Sequence, residues 1–271
     1  MCYNRLVNED INDKLTGSIA HATSVLVCIG NDVHALTDIA RECNLGKSTV
    51  HRVLKLLEQS RFVVQDTINR RYYLGPLLTR LTSNPVTTHE YLIMYADSEM
   101  RHLSQVSEET VNLDIMIGVH AFSLHEIASR HDLKVSQENK ASGPLLAGAS
   151  MKVLLSMLND KQLKTAFSGL NFTCPTRRTV TDKEVLLAQI KEIRQQGYAV
   201  SRGEWLDGVT CISVPVTNYS LPLSLNVVGP ENRLQPRETE VIKELKTSSA
   251  LISAKITSIY ENKTGGPAAV S

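Results

Sequence analysis

The sequence predicts a two-domain α/β protein, in which a mainly α-helical winged helix-turn-helix domain precedes an α+β domain. Two observations carry this prediction. Before residue 60, three successive segments place apolar residues at helical spacing, and a segment rich in β-branched and aromatic residues follows them. From Thr110 onward the apolar period changes to two, which is typical of strands.

Residues 36–60 have the pattern of a helix-turn-helix. Each of the two predicted helices carries apolar residues at i, i+3, i+4 and i+7, so that they share one buried face. These residues are Leu36, Ile39, Ala40 and Cys43 in the first helix, and Val50, Val53, Leu54 and Leu57 in the second. We expect Gly46 to adopt a positive φ in the turn, and Ser48 or Thr49 to cap the second helix. A further helix is predicted over residues 18–29.

The opposite face of the second helix carries hydroxyls and cations that could enter a major groove. Lys47, Ser48 and Thr49 suit phosphate or base-edge contacts, and Arg52 could form a bidentate pair with guanine. The predicted DNA-contacting residues are Thr37, Lys47, Ser48, Thr49, His51, Arg52, Lys55, Arg70 and Arg71. The alternative is that this face is simply the solvated side of an amphipathic helix.

Charge is distributed unevenly along the chain. The net charge is only +1, but residues 41–80 contain eight Lys and Arg against three acids, which gives +5 there and −4 in the remainder. This asymmetry indicates a local nucleic-acid-binding part joined to a second part with another role.

The segment after the second helix predicts a β-hairpin, since β-branched and aromatic residues flank a polar centre at residues 66–69. As the wing of a winged helix, it would carry Arg70 and Arg71 toward phosphate or a minor groove. A long helix is predicted over residues 89–108, with an apolar stripe that includes Leu92 and Leu103. We expect it to connect the domains, and it is a candidate dimer contact.

The second domain is predicted to contain a mostly antiparallel sheet. A half-buried strand covers residues 111–119, another lies near residues 122–128, and two more cover residues 209–216 and 221–228. Helices are expected within residues 144–158, 181–196 and 235–259, and Gly197 should end the second of them. In the last two strands, small polar side chains alternate with apolar ones and could line a ligand pocket: Cys211, Ser213, Ser224 and Asn226.

Cysteine usage and hydropathy limit the class of protein. The five cysteines are odd in number and form no CxxC pair, which predicts reduced thiols. The N-terminus lacks the apolar core of a signal peptide, and no apolar run approaches the roughly 18 residues of a membrane span. We therefore expect a cytoplasmic protein, with no cofactor and no metal.

Several alternatives remain at this point. Cys211 could be a nucleophile, although a thiol packed beside a ligand is favoured because no His is near it in sequence. His120 and His125 could bind a metal together with a Cys, and Trp205 could either cover the pocket or belong to the core. The pocket could also be that of an enzyme with an appended DNA-binding domain, but the sequence offers no paired carboxylates, phosphate loop or triad.

The chain resembles the IclR family of bacterial transcriptional regulators from about residue 18 to about residue 255. In the first half the resemblance rests on LTDIARECNLGKSTVHRVLKLLEQ followed by YYLGPLLTRL. In the second half it rests on PLLAGASMKVLLSML, TRRTVTD, IRQQGYAVSRGEWLDGVTCISVPV and a strand that ends in Gly229-Pro230. Each motif is moderately specific, and their order and spacing together are specific.

The resemblance implies a winged helix joined by a linker helix to a GAF-like effector-binding domain. The expected division is a flexible N-terminus over residues 1–16, the DNA-binding domain over 17–82, the linker helix over 83–108, the effector domain over 109–259 and a disordered tail over 260–271. It also implies a homodimer or homotetramer on near-palindromic double-stranded DNA. Such a protein regulates catabolic genes, here as an expected repressor, and senses a small organic acid such as a carboxylate or sugar acid.

The family's effector pocket lies where a helix begins and near the late strands. The pocket residues predicted from this resemblance and from the sequence pattern together are Leu146, Ala147, Gly148, Glu204, Cys211, Ser213, Ser224 and Asn226. Two departures affect this pocket. The family helix usually reads Thr-Ala-x-Gly-Lys, whereas residues 148–152 are Gly-Ala-Ser-Met-Lys, and Ser201 stands where an acid is frequent.

Overall fold

A computed structural model describes residues 17–136, 147–169 and 174–261 of the 271-residue chain. The chain divides into two compact units, Met1–Thr88 and His89–Ser271. The expected flexible N-terminus and almost all of the expected tail, residues 262–271, lie outside the described residues.

The N-terminal unit is a three-helix bundle followed by a hairpin and two short helices. The helices and strands are α1 Ser18–Gly30, α2 Leu36–Glu42, α3 Lys47–Gln59, β1 Val63–Gln65, β2 Tyr72–Leu74, α4 Pro76–Leu81 and α5 Pro85–Thr88. The predicted helices and antiparallel hairpin are confirmed. Their small core contains the predicted apolar faces of α2 and α3, with Val25 and Ile29 from α1 and Val63 and Tyr72 from the hairpin.

Two predictions about the turn before α3 were wrong. Asn44, not Gly46, adopts the left-handed conformation, with φ of 51° against −62° for Gly46. Asn tolerates this conformation better than most residues, so it can end α2 without a glycine. Gly46 is itself the N-cap of α3, and no side chain caps the helix. Ser48 and Thr49 therefore lie inside the first turn.

Gly75 fixes the base of the wing through a close backbone approach. Its N–H donates to the carbonyl of Phe62 at 2.7 Å. A Cβ at position 75 would lie 2.4 Å from the carbonyl oxygen of Arg61, so only glycine fits without movement of the backbone. The YYLGP segment is thus held against the end of α3 and the start of β1.

The C-terminal unit is an α+β domain. Its helices and strands are α6 Glu90–Ser107, β3 Thr110–Ile117, β4 His120–Ile127, α7 Ala149–Ser156, α8 Asp160–Gly169, α9 Lys183–Gln196, β5 Ala199–Arg202, β6 Val209–Val216, β7 Leu223–Pro230, α10 Glu231–Leu234, a 3-10 turn Gln235–Arg237 and α11 Glu238–Glu261. The sheet order is β4-β3-β7-β6-β5, and every neighbouring pair is antiparallel.

Several details of this domain differ from the sequence predictions. Strand β5 and helix α8 were not predicted, and the helix expected over residues 235–259 is interrupted near its start by the 3-10 turn. The first strand is not half-buried: residues 110–116 are all buried. The reason is that helices cover both faces of the sheet, so the polar residues of β3 also point into the protein.

The two faces of the sheet differ in chemistry. One face, with Leu113, Ile115 and Val214, shares an apolar core with the stripe of α6 and with α11. The helix expected as a linker is thus packed into the C-terminal unit through Leu92 and Leu103. On the other face, apolar clusters involving α7 and α9 surround a band of polar residues. Among the described residues, no helix combines the length and hydropathy needed to cross a membrane.

Candidate DNA interface and effector site

The exposed face of α3 presents the predicted DNA-contacting groups. Val50 and Leu54 on the opposite face are fully buried, and this fixes the rotation of the helix. The side chains on the outward face are exposed, except that Thr49 is half-buried: Lys47, Ser48, Thr49, His51, Arg52 and Lys55. Thr37 is likewise exposed on α2.

The tip of the wing is shaped by two side-chain hydrogen bonds. Asp66 Oδ1 accepts from the N–H of Ile68, and Asn69 Oδ1 accepts from the N–H of Arg71, both at 2.8 Å. Arg70 adopts a φ of 60° and its N–H donates to the carbonyl of Asp66 at 3.0 Å. The chain reverses without an Asn-Gly pair, and the side chains of Arg70 and Arg71 remain exposed.

A band of polar residues crosses the sheet on the face toward α7. The strand register sets Asp114 of β3 opposite Ser224 of β7, and Asn226 of β7 opposite Ser213 of β6. Cys211 pairs with Ser201 of β5 in the same way. The structure therefore brings together all four polar positions predicted from the late strands.

Asp114 is the centre of this band. Its Oδ2 accepts hydrogen bonds from Ser150 Oγ at 2.6 Å and from Asn226 Nδ2 at 2.9 Å. Asn226 Oδ1 in turn accepts from Ser213 Oγ at 2.5 Å. The second carboxylate oxygen, Oδ1, is buried without a hydrogen bond, as is the hydroxyl of Ser123 opposite it on β4.

Burial raises the pKa of the Asp114 carboxyl to about 6, although the hydroxyls of Ser150 and Ser123 and the amide of Asn226 oppose this shift. The carboxylate must leave water to occupy this position, and the desolvation cost exceeds the gain from its donors. At neutral pH the band thus contains a buried negative charge, and its Oδ1 can accept a further hydrogen bond.

The start of α7 closes one side of the band. Gly148 has a φ of 91°, and Ser201 Oγ accepts a hydrogen bond from the N–H of Ala149 at 2.9 Å. Ser201 therefore satisfies a helix N–H at the position where the family often has an acid. Ala147 is half-buried beside this turn, and Leu146 lies outside the described residues.

A buried ion pair borders the band. Lys152 Nζ lies 2.5 Å from Glu204 Oε1, and both side chains are at most 10% exposed. Glu204 Oε2 is buried without a hydrogen bond. The Glu204 segment is held in place because Thr179 donates to the Glu204 carbonyl and Thr176 to the Gly203 carbonyl, both at 2.6 Å.

The thiol of Cys211 lacks the environment of a nucleophile. Burial and the nearby Asp114 carboxylate raise the pKa of this thiol to about 12, so it is protonated at neutral pH.

Over the described ranges, no group of three His, Cys, Asp or Glu side chains is placed to hold a metal ion, and His125 instead lies 3.6 Å from Asp97. Trp205 is half-buried.

Three residues of the band were missed from the sequence: Asp114, Ser150 and Lys152. The alternation in β3 placed Asp114 on a polar face, but only the strand order shows that this face continues into β7. Ser150 and Lys152 belong to the helix motif on which the family resemblance rests. Lys152 matches the lysine of that motif, but the sequence alone gave neither residue a partner.

Comparisons with known proteins identify the family. The family described as bacterial transcriptional regulator IclR C-terminal matches residues 85–254, and the IclR helix-turn-helix domain matches residues 18–67. The chain belongs to the IclR family. It is a ligand-responsive, DNA-binding transcriptional regulator, and these relatives give no support to the enzyme alternative.

Individual relatives agree with this assignment over most of the chain. The chain is 27% identical to the HTH-type transcriptional regulator KdgR of Escherichia coli, over 93% of this chain and 97% of that protein. It is 29% identical to the regulator TtgV of Pseudomonas putida, over 86% and 88%. A crystal structure of an IclR homolog complexed with 4-hydroxybenzoate, from Microbacterium hydrocarbonoxydans, has the same fold, with a TM-score of 0.56, 22% identity, and coverage of 89% of this chain and 100% of that one.

Replacing Lys152 with methionine should lower the free energy of unfolding by about 3–5 kcal/mol, because Glu204 would remain buried without its cation. Urea unfolding followed by circular dichroism measures this, with Lys161→Met, at an exposed lysine, as the matched control. The double variant Lys152→Met/Glu204→Leu should recover most of the loss. If the double variant were as unstable as the single one, the ion pair would not be the cause.

The stability should also depend on pH through Asp114. Its pKa is raised from 3.8 to about 6 on folding, so the folded chain takes up a proton between these values. The contribution of Asp114 to stability is therefore full below pH 4 and is lost as the pH rises through 6, by about 3 kcal/mol at about 1.4 kcal/mol per pKa unit. We expect wild type to gain most of this amount, about 2.4 kcal/mol, relative to Asp114→Asn when unfolding is measured at about pH 4 instead of pH 7.5, because unfolded Asp114 is already about half ionised at pH 4. A constant difference between the two proteins would contradict the assignment.

Proposed function

We propose that this regulator represses catabolic genes by binding a near-palindromic operator as a homodimer or homotetramer in the cytoplasm. We further propose that a small hydroxylated acid, such as a sugar acid, controls this binding. The observation that carries the first proposal is the outward face of α3, where hydroxyls and cations are exposed over a buried apolar stripe.

The roles of the DNA-contacting residues follow from their chemistry. Arg52 lies one turn into α3, where its guanidinium can pair with guanine O6 and N7 in the major groove. Lys47, Ser48 and Thr49, at the start of the helix, are suited to phosphates and base edges. Thr37, Arg70 and Arg71 are exposed on separate elements and position the domain on the backbone.

The effector class follows from the polar band. Asp114 Oδ1 and the Ser123 hydroxyl opposite it are buried and have no other partner, and a hydroxyl group of the effector can donate to the carboxylate and accept from Ser123. We propose that Asp114 and Ser150 join the residues predicted from the sequence: Leu146, Ala147, Gly148, Glu204, Cys211, Ser213, Ser224 and Asn226. A simple aliphatic acid without hydroxyls would bring no donor to Asp114 and would place a second negative charge near its carboxylate.

The proposed coupling runs through the sheet. An effector that competes for Ser150 or Asn226 would alter the hydrogen bonds that join α7 to β3 and β7. Strand β3 shares its apolar core with α6, the proposed linker between residues 17–82 and 109–259. A change in α6 would then alter the spacing of two recognition helices, which must reach half-sites about 34 Å apart.

Selection of genomic DNA fragments on the purified protein at about 150 mM salt tests the DNA-binding proposal. This salt concentration suppresses purely electrostatic binding, so that near-palindromic sites should remain. Arg52→Ala should weaken binding to a recovered site by about 1–3 kcal/mol, because one base contact is lost. Arg130→Ala, at an exposed arginine of the C-terminal unit, is the matched control and should bind as wild type. Equal losses in both variants would show that only net charge matters.

Thermal shift with paired compounds tests the effector proposal. Gluconate should raise the melting temperature more than hexanoate, and 4-hydroxybenzoate more than benzoate, because only the first of each pair can donate to Asp114. Asn226→Ala should reduce the shift while its DNA binding without ligand is retained. Equal shifts within each pair, or none, would reject a hydroxylated acid as the effector. Recovery of the compound unchanged after incubation would separate sensing from turnover.

A further inference from the structure

We propose that Cys28 and Cys43 form a site of oxidative modification, at which a hydroperoxide converts the two thiols into a disulfide within the folded helix-turn-helix. The inference goes beyond ligand sensing, because it lies in the N-terminal unit and involves none of the residues of the polar band. It rests on the placement of the two sulfur atoms.

The two sulfur atoms are in direct contact. Cys28 lies in the last turn of α1, and Cys43 directly follows α2. Their Sγ atoms are 3.3 Å apart, across a separation of 15 residues. A disulfide needs about 2.05 Å, so the sulfurs must approach by about 1.3 Å for the bond to form.

The two thiols differ in access and in acidity. Cys43 is 4% exposed and belongs to the core, whereas Cys28 is half-buried and can be reached from solvent. The hydrogen bond between them lowers the pKa of the Cys28 thiol and raises that of Cys43. Cys28 is therefore the thiol that reacts first with an oxidant, and Cys43 is the thiol that then attacks the oxidised Cys28 to form the disulfide.

The chemistry balances in two steps. The Cys28 thiolate attacks one oxygen of hydrogen peroxide and the O–O bond breaks, which gives a sulfenic acid and hydroxide; the hydroxide takes the thiol's proton and becomes water. Cys43 sulfur then attacks Cys28 sulfur, the S–O bond breaks and a second water leaves with the Cys43 proton. Two thiols are oxidised by two electrons, and one peroxide is reduced to two waters.

The position of the site links it to the recognition helix. Cys43 directly precedes Asn44, the left-handed residue of the turn that leads to α3. A disulfide would tie this turn to α1 by a covalent bond. The oxidised and reduced proteins therefore differ at the segment that sets where α3 begins.

Treatment of the full-length protein with hydrogen peroxide, without denaturant, tests the proposal. Trypsin separates the two thiols, since Cys28 falls in the peptide of residues 15–41 and Cys43 in that of residues 42–47. We expect these two peptides to be joined, with the loss of two hydrogens, and to separate with dithiothreitol. Joining only in urea, or Cys28 linked mainly to Cys2, Cys174 or Cys211, would overturn the proposal.

Single variants assign the order of the steps. In Cys43→Ser, dimedone should label Cys28 as a trapped sulfenic acid, whereas in Cys28→Ser the buried Cys43 should stay unlabelled. Labelling of Cys43 at a rate similar to that of Cys28 would overturn the assignment of Cys28 as the attacking thiol. Circular dichroism of each variant checks its fold, and the wild-type peptide map decides the proposal even if a serine variant does not fold.

Discussion

The buried carboxylate of Asp114 is the interaction on which the polar face of the C-terminal unit depends. A buried carboxylate is costly unless donors satisfy it or a proton neutralises it. Here Ser150 and Asn226 donate to one oxygen of the carboxylate. Burial also raises the pKa of the carboxyl to about 6, so a small fall in pH below neutral is enough to protonate it. Since Ser150 belongs to α7 and Asn226 to β7, one oxygen joins a helix to two strands. In the proposed function, an effector that took the Ser150 donor would change how α7 meets the sheet, and one that took the Asn226 donor would change how β7 meets β3.

The opposite face of the same sheet explains how such a change can travel. Successive residues of β3 point to opposite faces, so Leu113 and Ile115 lie in the apolar core while Asp114 lies in the polar band. The apolar core also contains Leu103 of α6 and is closely packed, so it transmits a displacement more readily than it absorbs one. In the proposed function, an adjustment of the polar face would thus reach α6 through the apolar face.

Sequence patterns predicted the parts of this protein that depend on local periodicity. The helices around Leu54 and the strands around Ser213 and Asn226 were placed correctly, because each buries one regular face. Strand β5, with only four residues, is too short for a periodic signal. The contact between Asp114 and Asn226 could not be predicted before the order of the strands was known. Whether Asn44 or Gly46 takes the left-handed conformation depends on the residue at which α3 begins, and the sequence pattern does not fix that residue.

The departures from the family pattern bear on which ligand the site can accept. With serine at position 201, a neutral hydroxyl accepts from the first N–H of α7, while the carboxylate of Asp114 accepts from Ser150 in the same turn. The start of this helix therefore already has one buried acid beside it, and an acid in place of Ser201 would add a second negative charge there. An effector of a relative that has an acid at this position would meet a different charge in this chain, so its identity cannot be carried over.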